Sequence, residues 1–258
     1  MEKQKSLKKN AIYGFIRALM NLMFPLVSFP YASRVLLPEG IGKVQFANSI
    51  IFYFTFLAGL GISTYASREA ARIRDNKDAF NTFCKEIFII NLISTFVSYV
   101  ALAILIFIIP KFWEFRILLI ICSTQILFIT IGMEYIYSAQ EDYGYITRRS
   151  IVFQIISLVF LFTFIKDKDD YTAYAFFGVI SSVGSNICNL FYSRKYINLF
   201  SKCQLNFKKH LKPIFVFFAT AVATKFHGTL DAMMLGFMLG SSEVGIYSAA
   251  EKINVLVN

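Results

Sequence analysis

The sequence has little charge for its length. Only 16% of its 258 residues are charged, whereas 57% belong to the hydrophobic set. Soluble domains usually carry charge on about a quarter of their residues. This composition therefore excludes an ordinary soluble domain. Histidine is scarce as well: the chain has two, too few for a multi-histidine metal site.

The sequence also lacks the short motifs that carry common chemistry. It contains no Walker A sequence, no GxGxxG, no HExxH and no GxSxG. Its four cysteines are scattered without CxxC spacing, which excludes a zinc ribbon and a disulfide-stapled secreted fold. The acidic string at residues 167–169 is interpreted as a solvated turn, because no nucleotide-binding domain surrounds it. We expect no metal, no cofactor and no catalytic residue, so the protein is predicted not to be an enzyme.

Long apolar runs are what the sequence has instead. A run of about 20 residues is long enough to cross a bilayer as a helix. Such runs lie at about 10–33, 44–66, 86–110, 117–138, 151–165, 172–192 and 213–233, and an eighth opens near Glu243. The fifth run is short unless flanking residues such as Arg149 and Ser150 extend it. The pattern predicts an all-α, polytopic integral membrane bundle.

The net charge of +10 is clustered between these runs, which favours a phospholipid bilayer over nucleic acid as the partner. One alternating set of loops, which includes the N-terminus, holds 17 Lys and Arg residues, and the other set holds 6. Because cytoplasmic loops carry the excess of Lys and Arg, this asymmetry predicts a cytoplasmic N-terminus.

Polar residues recur on one helical face of several predicted spans. The first span carries Arg17 and Asn21, and the fourth carries Glu134. The seventh carries His227 and Asp231, and Lys225 lies beside that stripe. Such stripes can be hydrogen-bonding contacts between helices, or the walls of an aqueous cavity.

Full charges inside spans need a stronger reason, because a central Arg or Asp costs about 2.5 kcal/mol or more on insertion. An aqueous cavity explains Arg17, Lys225 and Asp231. An internal ion pair between Asp231 and either cation remains an alternative. Pro25 and Pro30 interrupt the first span and predict a kink, which membranes tolerate mainly beside cavities or within protein.

Three stretches carry a resemblance to a known family. They are FPLVSFPYASRVLLPEGIGKVQFANSI at Phe24–Ile50, LGISTYASREAARIRD at Leu60–Asp75, and LDAMMLGFMLGSSEVGIYSAAEKI at Leu230–Ile253. The chain resembles Wzx-like O-antigen and polysaccharide repeat-unit flippases, members of the multidrug/oligosaccharidyl-lipid/polysaccharide (MOP) exporter superfamily.

The resemblance implies a MATE/MOP-like architecture of two six-helix lobes. We expect one complete lobe at 1–205 and the first two helices of a second lobe at 206–258, so the chain is expected to be truncated. An internal comparison agrees: an offset of 203 residues aligns Leu36–Ile50 with Leu239–Ile253, matching Gly42 to Gly245. A duplicated transporter places its site between the repeats.

The resemblance also implies the function. We expect the protein to flip undecaprenyl-diphosphate-linked oligosaccharide repeat units across the bacterial inner membrane, alongside other polysaccharide-assembly membrane proteins. The predicted substrate-binding residues are Arg17, Asn21, Lys225 and Asp231. The predicted coupling or gating residues are Glu134, His227, Pro25 and Pro30. Two alternatives remain open: a cation-coupled small-molecule exporter, and a membrane polysaccharide polymerase or glycosyltransferase.

Overall fold

The structure is a computed structural model that describes residues 7–199, 201, 203–225 and 227–257, with side chains described for 8–199, 201, 203–224 and 230–252. Within these ranges the chain forms twelve α-helices and no strand. The helices are α1 Leu7–Gly59, α2 Ile62–Ile73, α3 Lys77–Ile108, α4 Pro110–Glu114, α5 Arg116–Gly132, α6 Glu134–Ala139, α7 Tyr143–Phe164, α8 Tyr171–Val179, α9 Asn186–Tyr192, α10 Lys208–Lys225, α11 His227–Met238 and α12 Ser241–Val257. A π-helical segment, Ile180–Gly184, lies between α8 and α9.

Helix α1 contains the first two predicted spans and breaks between them. Leu37 has φ 60° and ψ 173°, and it is the one non-helical residue within α1. Proline disfavours the helical conformation of the preceding residue, so Pro38 explains the break. The break therefore lies beyond Pro25 and Pro30, which both stay inside the helical run.

Five helical segments in the described ranges are long and apolar enough to cross a membrane. They are Lys8–Ile73, Lys77–Ile108, Arg116–Ala139, Tyr143–Phe164 and Tyr171–Lys195. The first has 66 residues and holds two predicted spans, so these segments account for the first six. The short fifth span becomes a helix of 22 residues, α7. The predicted all-α polytopic bundle is confirmed.

Helix α3 shows how the bundle meets lipid. Its outward face is apolar, with Ile93, Phe96 and Phe107 exposed by 59%, 69% and 75%. Its inward face is polar and buried, and it includes Asn91, Ser94, Thr95 and Ser98. An apolar surface around a partly polar interior is the arrangement expected of a helix that contacts hydrocarbon outside and other helices inside.

Local sequence signals define both ends of α3. Asn76 precedes the helix, and its side chain accepts a hydrogen bond from the Ala79 amide at 3.1 Å. Asparagine is a favoured N-cap because its oxygen satisfies one of the free amides of the first turn. Pro110 starts α4 directly afterwards, a position where proline loses no hydrogen bond.

A buried carboxylate anchors the segment that leads into α10. Glu86 on α3 is fully buried, and it accepts a hydrogen bond from the Asn206 amide at 2.6 Å. The His210 Nε2 and Lys209 Nζ atoms lie 2.8 and 2.9 Å from the same carboxylate. Tyr65 on α2 holds the opposite ring nitrogen of His210 at 2.8 Å. The start of α10 is thus fixed to α2 and α3.

Candidate functional site

A cavity of about 320 Å³ is lined by residues from all of the first six predicted spans. We call it the polar cavity, because two arginines, one glutamate, six serines and two asparagines line it. Its charged residues are Arg17 on α1, Glu134 on α6 and Arg149 on α7. A cluster of this polarity inside a membrane bundle is a functional-site candidate.

The three charges form one connected group. Arg17 Nη2 lies 2.6 Å from Glu134 Oε1, and Arg149 Nη2 lies 3.3 Å from Glu134 Oε2. One carboxylate therefore bridges two guanidinium groups, and one positive charge remains uncompensated within the trio. Guanidinium groups bind paired oxygens in a planar fork, the geometry that carboxylates and phosphates both offer.

A strained turn presents Glu134 to the cavity. Met133 has φ 40° and ψ 42°, a left-handed conformation that separates α5 from α6. Residues held in such sparsely populated regions cost about 1–3 kcal/mol and cluster at functional sites. Gly132 beside it gives room to Asn186, since a Cβ there would lie 2.6 Å from the Asn186 side chain. Asn189 Nδ2 donates to the Gly132 carbonyl at 2.6 Å, which satisfies a backbone group at the break.

Arg149 is held in place from the opposite wall. Its Nη1 atom donates to Ser185 Oγ at 2.9 Å and to Asn186 Oδ1 at 2.8 Å. Both acceptors follow the π-helical segment Ile180–Gly184, and such segments frequently occur at functional sites. Arg149 is 7% exposed, yet its Nε has no hydrogen-bond partner, and neither does Asn91 Oδ1. Two side chains that line the cavity thus hold a donor and an acceptor that are buried and unsatisfied within the described residues.

A second cavity, of about 640 Å³, lies between α1 and α12. We call it the seam cavity. It is lined by Asn21, Pro25 and Pro30 of α1 and by Glu251 and Lys252 of α12, and most of its wall surface is apolar. The Lys252 ammonium sits 4.9 Å from the centre of the Phe29 ring, a cation–π contact.

The structure unites part of the predicted site and separates the rest. Arg17 and Glu134 meet in the polar cavity, whereas Asn21, Pro25 and Pro30 line the seam cavity. Asn21 Oδ1 accepts a hydrogen bond from Gln154 at 2.9 Å. The side chains of Lys225 and His227 lie outside the described residues.

Asp231 lies apart from both groups. It is exposed on α11 and accepts a hydrogen bond from the Tyr247 hydroxyl at 2.8 Å. In the described part of the chain it lines neither cavity. Arg17 pairs with Glu134, so the alternative that paired Arg17 with Asp231 is wrong.

Sequence reasoning missed two cations. Arg149 flanks the fifth apolar run in the sequence, and the structure places it inside α7 and nearly fully buried. Its signal was the shortness of the fifth apolar run, which needed flanking residues to span the membrane. Lys252 has no comparable signal in the sequence. Its place beside the seam cavity depends on how α12 packs on α1.

The apolar exterior, the spanning helices and the charged internal cavity define a multi-pass membrane protein. The family model described as "Polysaccharide biosynthesis protein" matches residues 7–258. The chain belongs to this family.

Two curated relatives carry the same printed name, "Putative O-antigen transporter". The relative from Escherichia coli strain K12 is 22% identical over 96% of this chain and 60% of its own length. The relative from Shigella dysenteriae is 20% identical over 96% of this chain and 63% of its own length. The chain thus spans somewhat over half the length of both. No solved structure matches it with comparable significance.

Proposed function

We propose that the full-length protein moves a lipid-linked oligosaccharide across the bacterial inner membrane, from the cytoplasmic to the outer leaflet. The pair of guanidinium groups that meet on Glu134 is the observation that carries this proposal. The family membership and the printed names of the relatives support transport rather than catalysis.

The proposed ligand of the arginine pair is the diphosphate of an undecaprenyl diphosphate carrier. Glu134 occupies the position that a phosphate group would take, with one oxygen towards each arginine. An entering diphosphate would compete with this carboxylate for the two guanidinium groups. A diphosphate carries more charge and more acceptor oxygens than one carboxylate, so the exchange favours the ligand.

The rest of the polar cavity suits sugars. Its serines and asparagines supply donors and acceptors for sugar hydroxyls. The wall of the seam cavity is mainly apolar, and Lys252 adds a cation and Glu251 a carboxylate to it. In the proposed cycle, the head group moves between the two cavities while the polyprenyl tail stays in lipid. Two lobes, divided near residue 205, would rock about this path in alternating access.

A flipping assay with neighbouring arginines tests the proposal. Full-length protein in proteoliposomes receives a fluorescent undecaprenyl-diphosphate oligosaccharide, and transfer is read as accessibility to an added glycosidase. Arg149→Gln should reduce the initial rate by about tenfold or more, the effect of roughly 1.4 kcal/mol of lost binding. Arg148→Gln is the matched control, because Arg148 is exposed and contacts Tyr13 instead of the cavity.

Each outcome separates the candidate functions. Equal loss in both variants would reject the arginine pair as the binding site. If the unmodified protein does not flip the lipid but exports a small cation when an ion gradient is applied, a cation-coupled exporter would be favoured. A new covalent glycan product would favour a polymerase or glycosyltransferase.

A further inference from the structure

Two glycines bring the second half of α1 into direct backbone contact with α12. A Cβ atom built at Gly42 would overlap the Ser241 carbonyl oxygen and lie 2.9 Å from the Gly245 amide nitrogen. A Cβ atom built at Gly245 would overlap the Pro38 carbonyl oxygen and lie 2.7 Å from its carbonyl carbon. No side chain fits at either position unless the two helices separate.

The two contacts are copies of each other. Gly245 is 203 positions after Gly42, and Ser241 is 203 positions after Pro38. Gly42 contacts Ser241, and Gly245 contacts Pro38, so the two halves exchange equivalent contacts. Reciprocal contacts of this kind are the mark of a two-fold interface. The offset is the one that aligns the internal repeats of the sequence.

The crossing adjoins the seam cavity and is tightly closed. Gln45 and Ser248, again 203 positions apart, lie one helical turn along from the glycines and both line that cavity. Val44 and Val244 beside the crossing are exposed by 2% or less. The charge asymmetry of the loops places the crossing on the outer side of the membrane.

We propose that the Gly42–Gly245 crossing is the outer seal of the seam cavity, and that release to the outer leaflet requires α1 and α12 to separate there. This inference rests on the proposed function for its direction of transport. Glycine suits a seal that closes repeatedly, because backbone surfaces meet without any side chain that must repack. A bulky residue at either glycine would hold the seal open.

A cysteine reporter tests the seal without any substrate. Ser248→Cys is placed in the full-length protein, with the native cysteines replaced by serine, and cells are treated with a membrane-impermeant thiol reagent. Gly42→Leu and Gly245→Leu should each increase labelling from outside several-fold. Gly178→Leu is the matched control, because a Cβ there meets no atom within 4 Å. Labelling no higher than in the control would overturn the proposal.

A second measurement avoids bulky substitutions, in case the leucine variants do not fold. Pro38→Cys combined with Ser241→Cys joins the two sides of the crossing through a short bis-methanethiosulfonate linker, which forms a reducible disulfide with each thiol. Cross-linking should keep the Ser248→Cys reporter shielded in the presence of flippable substrate, and it should stop flipping until a reductant cleaves the linker. Cross-linked protein that flips at the full rate would overturn the seal. Normal gating of the reporter without any flipping would instead reject the proposed function.

Discussion

The hydroxyl side chains of α3, on Ser94, Thr95 and Ser98, and the charged group around Glu134 differ in how completely their hydrogen-bonding groups are satisfied. On α3, Ser94 and Ser98 donate to the carbonyls of Ala58 and Phe54 at 2.6 and 2.7 Å. Thr95 pairs with the Thr130 hydroxyl at 2.6 Å. In the charged group, the buried Arg149 Nε has no hydrogen-bond partner among the described residues. The first region is closed upon itself, and the second retains capacity to bind.

The difference shows that a polar residue in an apolar span has two distinct uses. A hydroxyl is small, so a carbonyl of the neighbouring helix satisfies it and the helices pack closely. A guanidinium has five donors in a fixed fork, so close packing rarely satisfies all of them. Large cations in a span therefore indicate a cavity more strongly than hydroxyl stripes do.

Removal of Arg17 should have the largest effect on transport. Arg17→Ala should reduce flipping about tenfold or more, roughly 1.4 kcal/mol, and leave membrane abundance nearly unchanged. Arg17 is partly exposed, and Arg149 still compensates Glu134 in the variant. Arg17→Lys should keep part of the rate, because the charge remains but the fork is lost. Abundance that falls in proportion to flipping would assign Arg17 a packing role instead.

Loss of the bridging carboxylate should have the next largest effect, on stability. Glu134→Gln leaves two arginines facing each other and should lower the unfolding free energy by about 2 kcal/mol, a value reduced by partial solvent exposure. Inorganic pyrophosphate should restore part of the loss in thermal unfolding of detergent-solubilised protein. Glu114→Gln is the control, because its pair with Lys111 is mostly exposed at 3.7 Å. Equal insensitivity of both variants to pyrophosphate would contradict an anion site.

Removing a hydroxyl from the buried face of α3 should have a smaller effect, on stability and not on transport. Ser98→Ala should lower stability by about 0.6 kcal/mol, the average for a hydrogen bond between membrane helices. The flipping rate should stay unchanged, because Ser98 contacts the Phe54 carbonyl and does not line the polar cavity. A flipping defect in Ser98→Ala at normal stability would erase the distinction between the two regions.

The smallest expected effect is a change in local stability in the loop before α8. This loop is polar but lies outside both the hydroxyl face of α3 and the charged group around Glu134. The backbone amides of Asp167 and Lys166 donate to Asp170 at 2.8 Å, and these bonds lower the pKa of its carboxyl. Because the pKa of Asp170 is lower in the folded state, its hydrogen bonds stabilise the loop at pH values above the unfolded-state pKa of about 3.9. This stabilisation is lost as the pH falls through the folded-state pKa. Hydrogen exchange of the two amides should accelerate on acidification, relative to intrinsic rates, and Asp170→Asn should remove this pH dependence.

Much of the bundle could be predicted from periodicity and run length. The first six spans were predicted because lipid demands about 20 apolar residues in sequence, a constraint that holds before any packing occurs. The break between the first two spans was expected as a loop at 34–43. In the structure the break is confined to one non-helical residue, Leu37, because Pro38 disfavours the helical conformation of the residue before it. The division near residue 205 and the cytoplasmic N-terminus stay predictions.

The candidate site was only half predictable. Arg17 stood out because a charge in the middle of an apolar run is costly wherever its helix packs. Arg149 did not stand out in this way, because an arginine at the edge of an apolar run can lie either in a loop or in a cavity. In the structure α7 begins at Tyr143, so Arg149 lies within the helix and not in a loop. Its side chain faces Ser185 and Asn186 inside the bundle.

The sequence by itself determined the class of protein, through its long apolar runs, and the family, through stretches such as Phe24–Ile50. It also determined that cations lie within spans. Tertiary structure alone decided that Glu134 joins Arg17 to Arg149 and that Gly42 crosses Gly245. Hydropathy acts on each segment separately, whereas these contacts depend on the relative rotation and spacing of helices far apart in the chain. That geometry follows from the packing of small residues and the satisfaction of buried polar groups across several helices at once.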